Sequence, residues 1–102
     1  MLDMEQREGK FYFLQRNLPI EAQYEQLAEE AAELAQAALK TIRARGNGNP
    51  TPISYSDAIE NLMDEIADVF VCLQVLELYP GAERMDSKLE RWCDRVKEAQ
   101  NV

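Results

Sequence analysis

Histidine is absent from this chain, and that absence closes several routes at once. Without imidazole there is no usual zinc ligand, no usual general base and no Glu-x-x-His pair of the kind that binds iron in ferritin-like bundles. Any chemistry must therefore run on carboxylates. Cysteine is scarce as well: Cys72 and Cys93 stand singly within helical patterns, where a free cysteine packs as a small hydrophobe, so neither a disulfide nor a redox role is expected. No apolar run approaches the roughly 18 residues of a membrane span; the longest is Val69 to Leu73. The first ten residues, MLDMEQREGK, carry neither a basic leader nor an apolar stretch, so no secretory signal is read and a cytoplasmic location is expected. Basic residues are the minority, 11 against 19 acidic, for a net charge of -8. That balance repels nucleic-acid backbones and anionic membranes, and neither is expected as a partner. A nucleotide remains open, because divalent cations held by carboxylates invert the local sign of charge.

What is present reads as one folded helical domain over residues 1–102. The hydrophobic fraction of 46% and charged fraction of 29% are ordinary for a folded chain. At this length a core is feasible, and self-association would strengthen it. Residues 46–56 collect Gly46, Gly48, Pro50 and Pro52 with asparagine and serine, a concentration of turn formers that separates two helical halves. Upstream, Pro19 at the start and Gly46 after Lys40, Arg43 and Arg45 bound a helix over about 19–45. Downstream, Ser56 or Asp57, the latter with Glu60 as a capping box, starts a helix that Pro80-Gly81 closes, giving about 57–79. A third, about 82–100, carries Met85, Leu89, Trp92, Cys93 and Val96 on one stripe. Residues 3–16 are partly helical, with Gly9 blurring the limits.

The two main helices contain an echo. Leu27-Ala28-Glu29-Glu30-Ala31-Ala32-Glu33-Leu34 aligns, 35 positions on, with Leu62-Met63-Asp64-Glu65-Ile66-Ala67-Asp68-Val69. Acid meets acid and apolar residue meets apolar residue throughout. At about 100° per residue, Glu30 and Glu33 border one apolar stripe, and Glu65 and Asp68 border the matching stripe of the next helix. If the two helices form an antiparallel hairpin, the acid pairs stand at similar heights, roughly 20 Å and roughly 15 Å from the connecting loop at about 1.5 Å rise per residue.

A lone Glu-x-x-Glu is ordinary helix surface. Here, however, two such pairs share one phase, and no lysine or arginine stands at helical pairing distance from Glu30 or Asp68. Like charges about 6 Å apart repel by about 3 kcal/mol at an effective dielectric of about 20, and a divalent cation is the simplest relief. All-oxygen ligation favours magnesium, with manganese as the near alternative. Such a site grips a polyphosphate and lowers the pKa of an attacking water.

These motifs, Glu29-Glu30-x-x-Glu33-Leu34 followed by Asp64-Glu65-x-Ala67-Asp68-Val69 with the lead-in Gln26-Leu27-Ala28, resemble the MazG-like all-α nucleoside triphosphate pyrophosphohydrolase superfamily over roughly residues 20–79. The resemblance implies an all-α helical bundle, built on a hairpin of two long helices plus a C-terminal helix and completed as a homodimer or homotetramer. It implies magnesium held by Glu30, Glu33, Glu65 and Asp68, with Glu29 or Glu33 orienting the water, and conversion of a nucleoside triphosphate to the monophosphate and pyrophosphate. Two features depart from the pattern: the spacer of residues 34–64 is long, and no tryptophan precedes the first motif. Lys40, Lys88, Arg91 and Arg95 are candidates to meet substrate phosphates. Asn61, with Tyr12, Phe13, Tyr24 or Tyr55, is a candidate for the base, although such aromatics more often serve packing.

The run after Asp68 is apolar around nearly the whole helix, which points to a subunit interface. Two other readings stand beside the leading one. Phosphoribosyl-ATP pyrophosphohydrolase shares the acidic logic, and a non-catalytic helical interaction module would use the same faces for protein contacts.

Overall fold

A computed structural model describes residues 1–101 as four α-helices, with no strand among them: α1 (Met4–Asn17), α2 (Ile20–Ala44), α3 (Tyr55–Val75) and α4 (Ala82–Gln100). The all-α expectation holds, and no helix is long and apolar enough to cross a membrane. The segment around Gly9 proves continuous. Asp3 opens α1 with a capping box, its Oδ1 accepting from the Gln6 N–H at 2.7 Å while its own N–H donates to Gln6 Oε1 at 3.0 Å. Two orphan donors are satisfied at one end, which offsets the cost of a glycine inside a short helix.

The limits of α2 match the sequence expectation closely, for readable reasons. Pro19 lacks an N–H and precedes the first helical residue. Beyond Ala44, Gly46 takes a φ of 91° while its N–H donates to Arg43 O and the N–H of Asn47 reaches back to Ile42 O. This left-handed cap uses the residue that adopts it without steric penalty.

Both ends of α3 differ from expectation. Ser54, rather than Ser56 or Asp57, caps the helix, and its Oγ accepts from the Asp57 N–H at 3.1 Å. Asp57 therefore sits in the first turn, where its charge suits the helix dipole. At the other end α3 stops at Val75, not Tyr79. The Glu77 N–H donates to Gln74 O, and the Leu78 N–H donates to Leu73 O at 2.9 Å. This is the same left-handed cap as in α2, but the residue with positive φ, 56°, is a glutamate. Sequence alone points to Pro80-Gly81 as the stop, because no glycine marks position 77.

Packing is concentrated between α2 and α3, with α1 against α3 as a smaller second contact. Ala37, Ala58, Cys72 and Val75 are the buried hydrophobic residues, so the helices approach through small side chains. Two glutamines fasten α1: Gln15 Nε2 donates to Val75 O at 3.0 Å, and buried Gln23 donates from Nε2 to Leu18 O at 3.0 Å. The amides thereby satisfy backbone carbonyls at helix ends, where no intrahelical partner exists. The loop between α2 and α3 is spanned by Arg45, whose guanidinium lies 5.6 Å from the ring centre of Tyr55.

The C-terminal helix does not join a bundle within the single chain. It has no buried residue and no extended packing with the other three helices. Cys93, expected to pack in a core, is exposed, whereas Cys72 is buried as expected. The radius of gyration is 17.6 Å, against about 13 Å for a compact domain of about 100 residues.

Candidate metal centre

The echo of the two acidic motifs becomes a single cluster in space. One carboxylate oxygen from each of Glu30, Glu33, Glu65 and Asp68 lies within 4.8 Å of the others, two from α2 and two from α3. The helix limits explain why the heights agree better than the sequence suggests. With α3 beginning at Tyr55, the midpoint of its acid pair lies about 17 Å from the helix start, and that of α2 about 19 Å from Ala44.

The cluster is half sheltered. Glu30 and Glu65 are half-buried, while Glu33 and Asp68 are exposed. Oε2 of both Glu30 and Glu65 is buried with no hydrogen-bond partner. A buried carboxylate oxygen without a donor is costly, so nearly all such oxygens in native proteins are satisfied by protein, water or an ion. Two of them in one cluster, from different helices, call for a proton, a water or a cation.

The electrostatics of Glu30 express the same demand. Burial pushes its carboxyl above the ordinary glutamate range, and the negative charges of Glu33 and Asp68 push it further. The amide of Gln26 pulls the other way, donating from Nε2 to Glu30 Oε1 at 2.7 Å. Gln26 is a part of the site that sequence reasoning did not assign, although its spacing of one turn from Glu30 was visible. Cys72, one turn beyond Asp68, is the other. Burial first, then the charges of Glu30 and Asp68, push its thiol up. It stays a neutral, buried thiol, in line with its expected packing role.

The remaining candidates are dispersed. Glu29 is exposed and outside the four-carboxylate group. Lys40 is exposed on α2, about 10 Å along the axis from Glu33. Asn61 is half-buried on α3, one turn before Glu65. Lys88, Arg91 and Arg95 are exposed on α4, and because α4 does not pack on the α2–α3 pair, the single chain does not bring them to the carboxylates. Tyr12 stacks under Arg16 at 5.1 Å and Tyr55 meets Arg45, so these two aromatics already have cationic partners. Phe13 and Tyr24 are exposed.

Comparison of the chain with models of protein families, with curated proteins and with solved structures finds no match.

The donor set fits a hard divalent cation. It offers oxygen alone, from four carboxylates, which suits magnesium or manganese and not the thiolate and imidazole preferences of zinc or copper. Open faces at Glu33 and Asp68 leave room for water or for phosphate oxygens.

Proposed function

We propose that this protein is a magnesium-dependent nucleotide pyrophosphohydrolase that converts a nucleoside triphosphate to the monophosphate and pyrophosphate. The observation that carries the reading is the convergence of four carboxylates from two helices within 4.8 Å, with two buried oxygens left unpartnered. The resemblance of their Glu-x-x-Glu and Glu-x-x-Asp motifs to the MazG-like pattern supplies the reaction. In this reading α2 and α3 form an antiparallel hairpin, and the chain works as a homodimer or homotetramer in nucleotide-pool housekeeping.

Glu30 and Glu65, held in the sheltered half, would be the fixed ligands, with Gln26 orienting Glu30 through its 2.7 Å hydrogen bond. Asp68 and Glu33, on the open side, complete the set, and Glu33 or its exposed neighbour Glu29 takes the proton of the attacking water. A bound divalent cation supplies charge neutralisation for the phosphates and acidity for that water. Oε2 of Glu30 and of Glu65 is shielded from solvent, so a cation gains more from them than from a solvated acidic face.

The test is pyrophosphate release from a panel of nucleoside triphosphates with magnesium, manganese or chelator, repeated with Glu30→Ala and Asp68→Ala. Metal-dependent release abolished by both substitutions supports the site; release surviving either one removes it. Phosphoribosyl-ATP in the same panel separates the nearest enzymatic alternative. Silence with every nucleotide favours a non-catalytic interaction module, a reading to which the unpacked α4 lends some weight.

A further inference from the structure

The apolar stripe of α4 has nothing to rest on within its own chain. Ala82, Met85, Leu89, Trp92, Val96 and Ala99 recur at alternating spacings of three and four, the period of a helix made to lie against another element. Yet Leu89 is 60% exposed and Trp92 64% exposed. Beside the root of this helix opens a cleft of about 950 Å³ between α1, the end of α3 and the turn into α4. Phe11, Tyr12, Phe70 and Leu73 line it; none of the four clustered carboxylates does. Phe70 is itself 66% exposed. Met85 belongs to both the cleft and the stripe, so the two apolar surfaces are continuous.

The area involved identifies the kind of occupant. A compact folded chain of 11.7 kDa exposes about 5,900 Å², whereas this one exposes 8526 Å². The excess is about 2,600 Å² per chain. Two chains would remove about twice that by covering it mutually, which lies in the range of obligate homodimers rather than transient contacts. Charge agrees. The acidic and basic residues of α4 balance, so the whole net charge of -8 resides on the rest of the chain. Lys88 and Arg95 run along one edge of the stripe, with Asp86 on the other, and Glu8 and Glu77 stand at the cleft. A helix laid in the cleft of another copy brings these opposite signs together, whereas antiparallel pairing of two α4 helices sets Lys88 and Arg95 against their own kind.

We propose that α4 is an exchange arm: the Met85–Leu89–Trp92–Val96 stripe of one copy seats in the α1–α3 cleft of a second copy, and reciprocally. One two-fold operation then satisfies both surfaces, because cleft and arm adjoin at Met85. The arrangement deepens the self-association proposed above and is independent of any nucleotide chemistry.

Trp92 is the sole tryptophan of the chain, so its emission reports the arm directly. The intact protein is expected to sediment as a multiple of two copies at micromolar concentration, with blue-shifted emission that moves to the red on dilution. Trp92→Glu is expected to weaken association by at least about 30-fold, the loss typical of a central aromatic anchor. Since α4 touches little of its own chain, far-ultraviolet circular dichroism of that variant should remain helical. Phe70→Glu, at an exposed position, should weaken association comparably.

Mixing the two variants decides the geometry. The Trp92→Glu copy keeps an intact cleft and has no tryptophan, while the Phe70→Glu copy keeps an intact arm. The mixture is expected to form a mixed dimer whose single tryptophan shifts to the blue. A monomeric wild-type chain would overturn both the arm and the self-association. A wild-type oligomer whose two variants give no mixed dimer, or one that survives Trp92→Glu, would overturn the arm alone.

Discussion

If the four carboxylates are a cation site, removing one charge should strengthen the metal-free protein and abolish its response to metal. Glu65→Gln is the sharpest perturbation, since it keeps shape, removes one negative charge, and puts an N–H donor where Oε2 is buried without a partner. Its repulsion from Asp68 alone, at up to 4.8 Å, is about 1 kcal/mol with the dielectric of water and about 3 kcal/mol at an effective dielectric of about 20. Asp68 is exposed, which places the relief near the lower figure. For a chain of this size about 1 kcal/mol raises the melting temperature by about 4–8 °C. The wild type, in turn, should gain about 2.7 kcal/mol at a cation concentration a hundredfold above its dissociation constant, and the variant should gain nothing. Thermal melts at fixed protein concentration, in chelator and across a magnesium or manganese titration, should therefore cross: variant above wild type without metal, below it with metal. A Glu65→Gln protein that melts lower in chelator would refute the reasoning, because the charge would then be serving the fold. So would a metal-induced shift that persists in the variant.

Four further outcomes follow from the structure. Glu30 has a raised pKa, so in the window just above the ordinary glutamate range the metal-free folded state holds more protons than the unfolded state. Stability from this group is present below that window and lost as pH rises through it; Glu30→Gln should flatten that segment of the pH–stability profile, and an unchanged profile would contradict the assignment. Metal binding there should release protons and weaken as pH falls through the window, measurable by calorimetry in buffers of different ionisation enthalpy. Glu77→Gly should stabilise the protein by about 1 kcal/mol, since a non-glycine residue at φ 56° carries a left-handed penalty of about 1–2 kcal/mol that glycine avoids at some entropic cost; a lower melting temperature would mean that the 3.4 Å contact from Gln15 to Glu77 matters more than the backbone. Cys72, buried and held as a neutral thiol, should resist iodoacetamide until denaturant is added, whereas Cys93, exposed in the single chain, should react first in the Trp92→Glu variant; mass spectrometry showing equal rates there would place Cys72 nearer solvent than the packing allows.

The sequence by itself determined the helical class, the extents of α2 and α4, and the common phase of the two acid pairs. These are local properties: Pro19, Gly46 and Pro80-Gly81 act on the backbone wherever they occur, and a three-residue spacing sets a helical face regardless of neighbours. The ends of α3 were not legible. Ser54, Ser56 and Asp57 can all cap, and a glutamate in the left-handed region at position 77 leaves no compositional mark. That choice matters to the site, because starting α3 two residues earlier brings the acid pairs to nearly the same height. Only the tertiary structure decided that Glu30 and Glu65 lose water from one oxygen each while Glu33 and Asp68 keep it, since burial depends on which side chains of α2 and α3 meet. It alone decided the fate of the stripe on α4 as well: periodicity says that an apolar face must be covered, but whether its own chain or another covers it depends on where the turn at Leu76–Gly81 sends the helix.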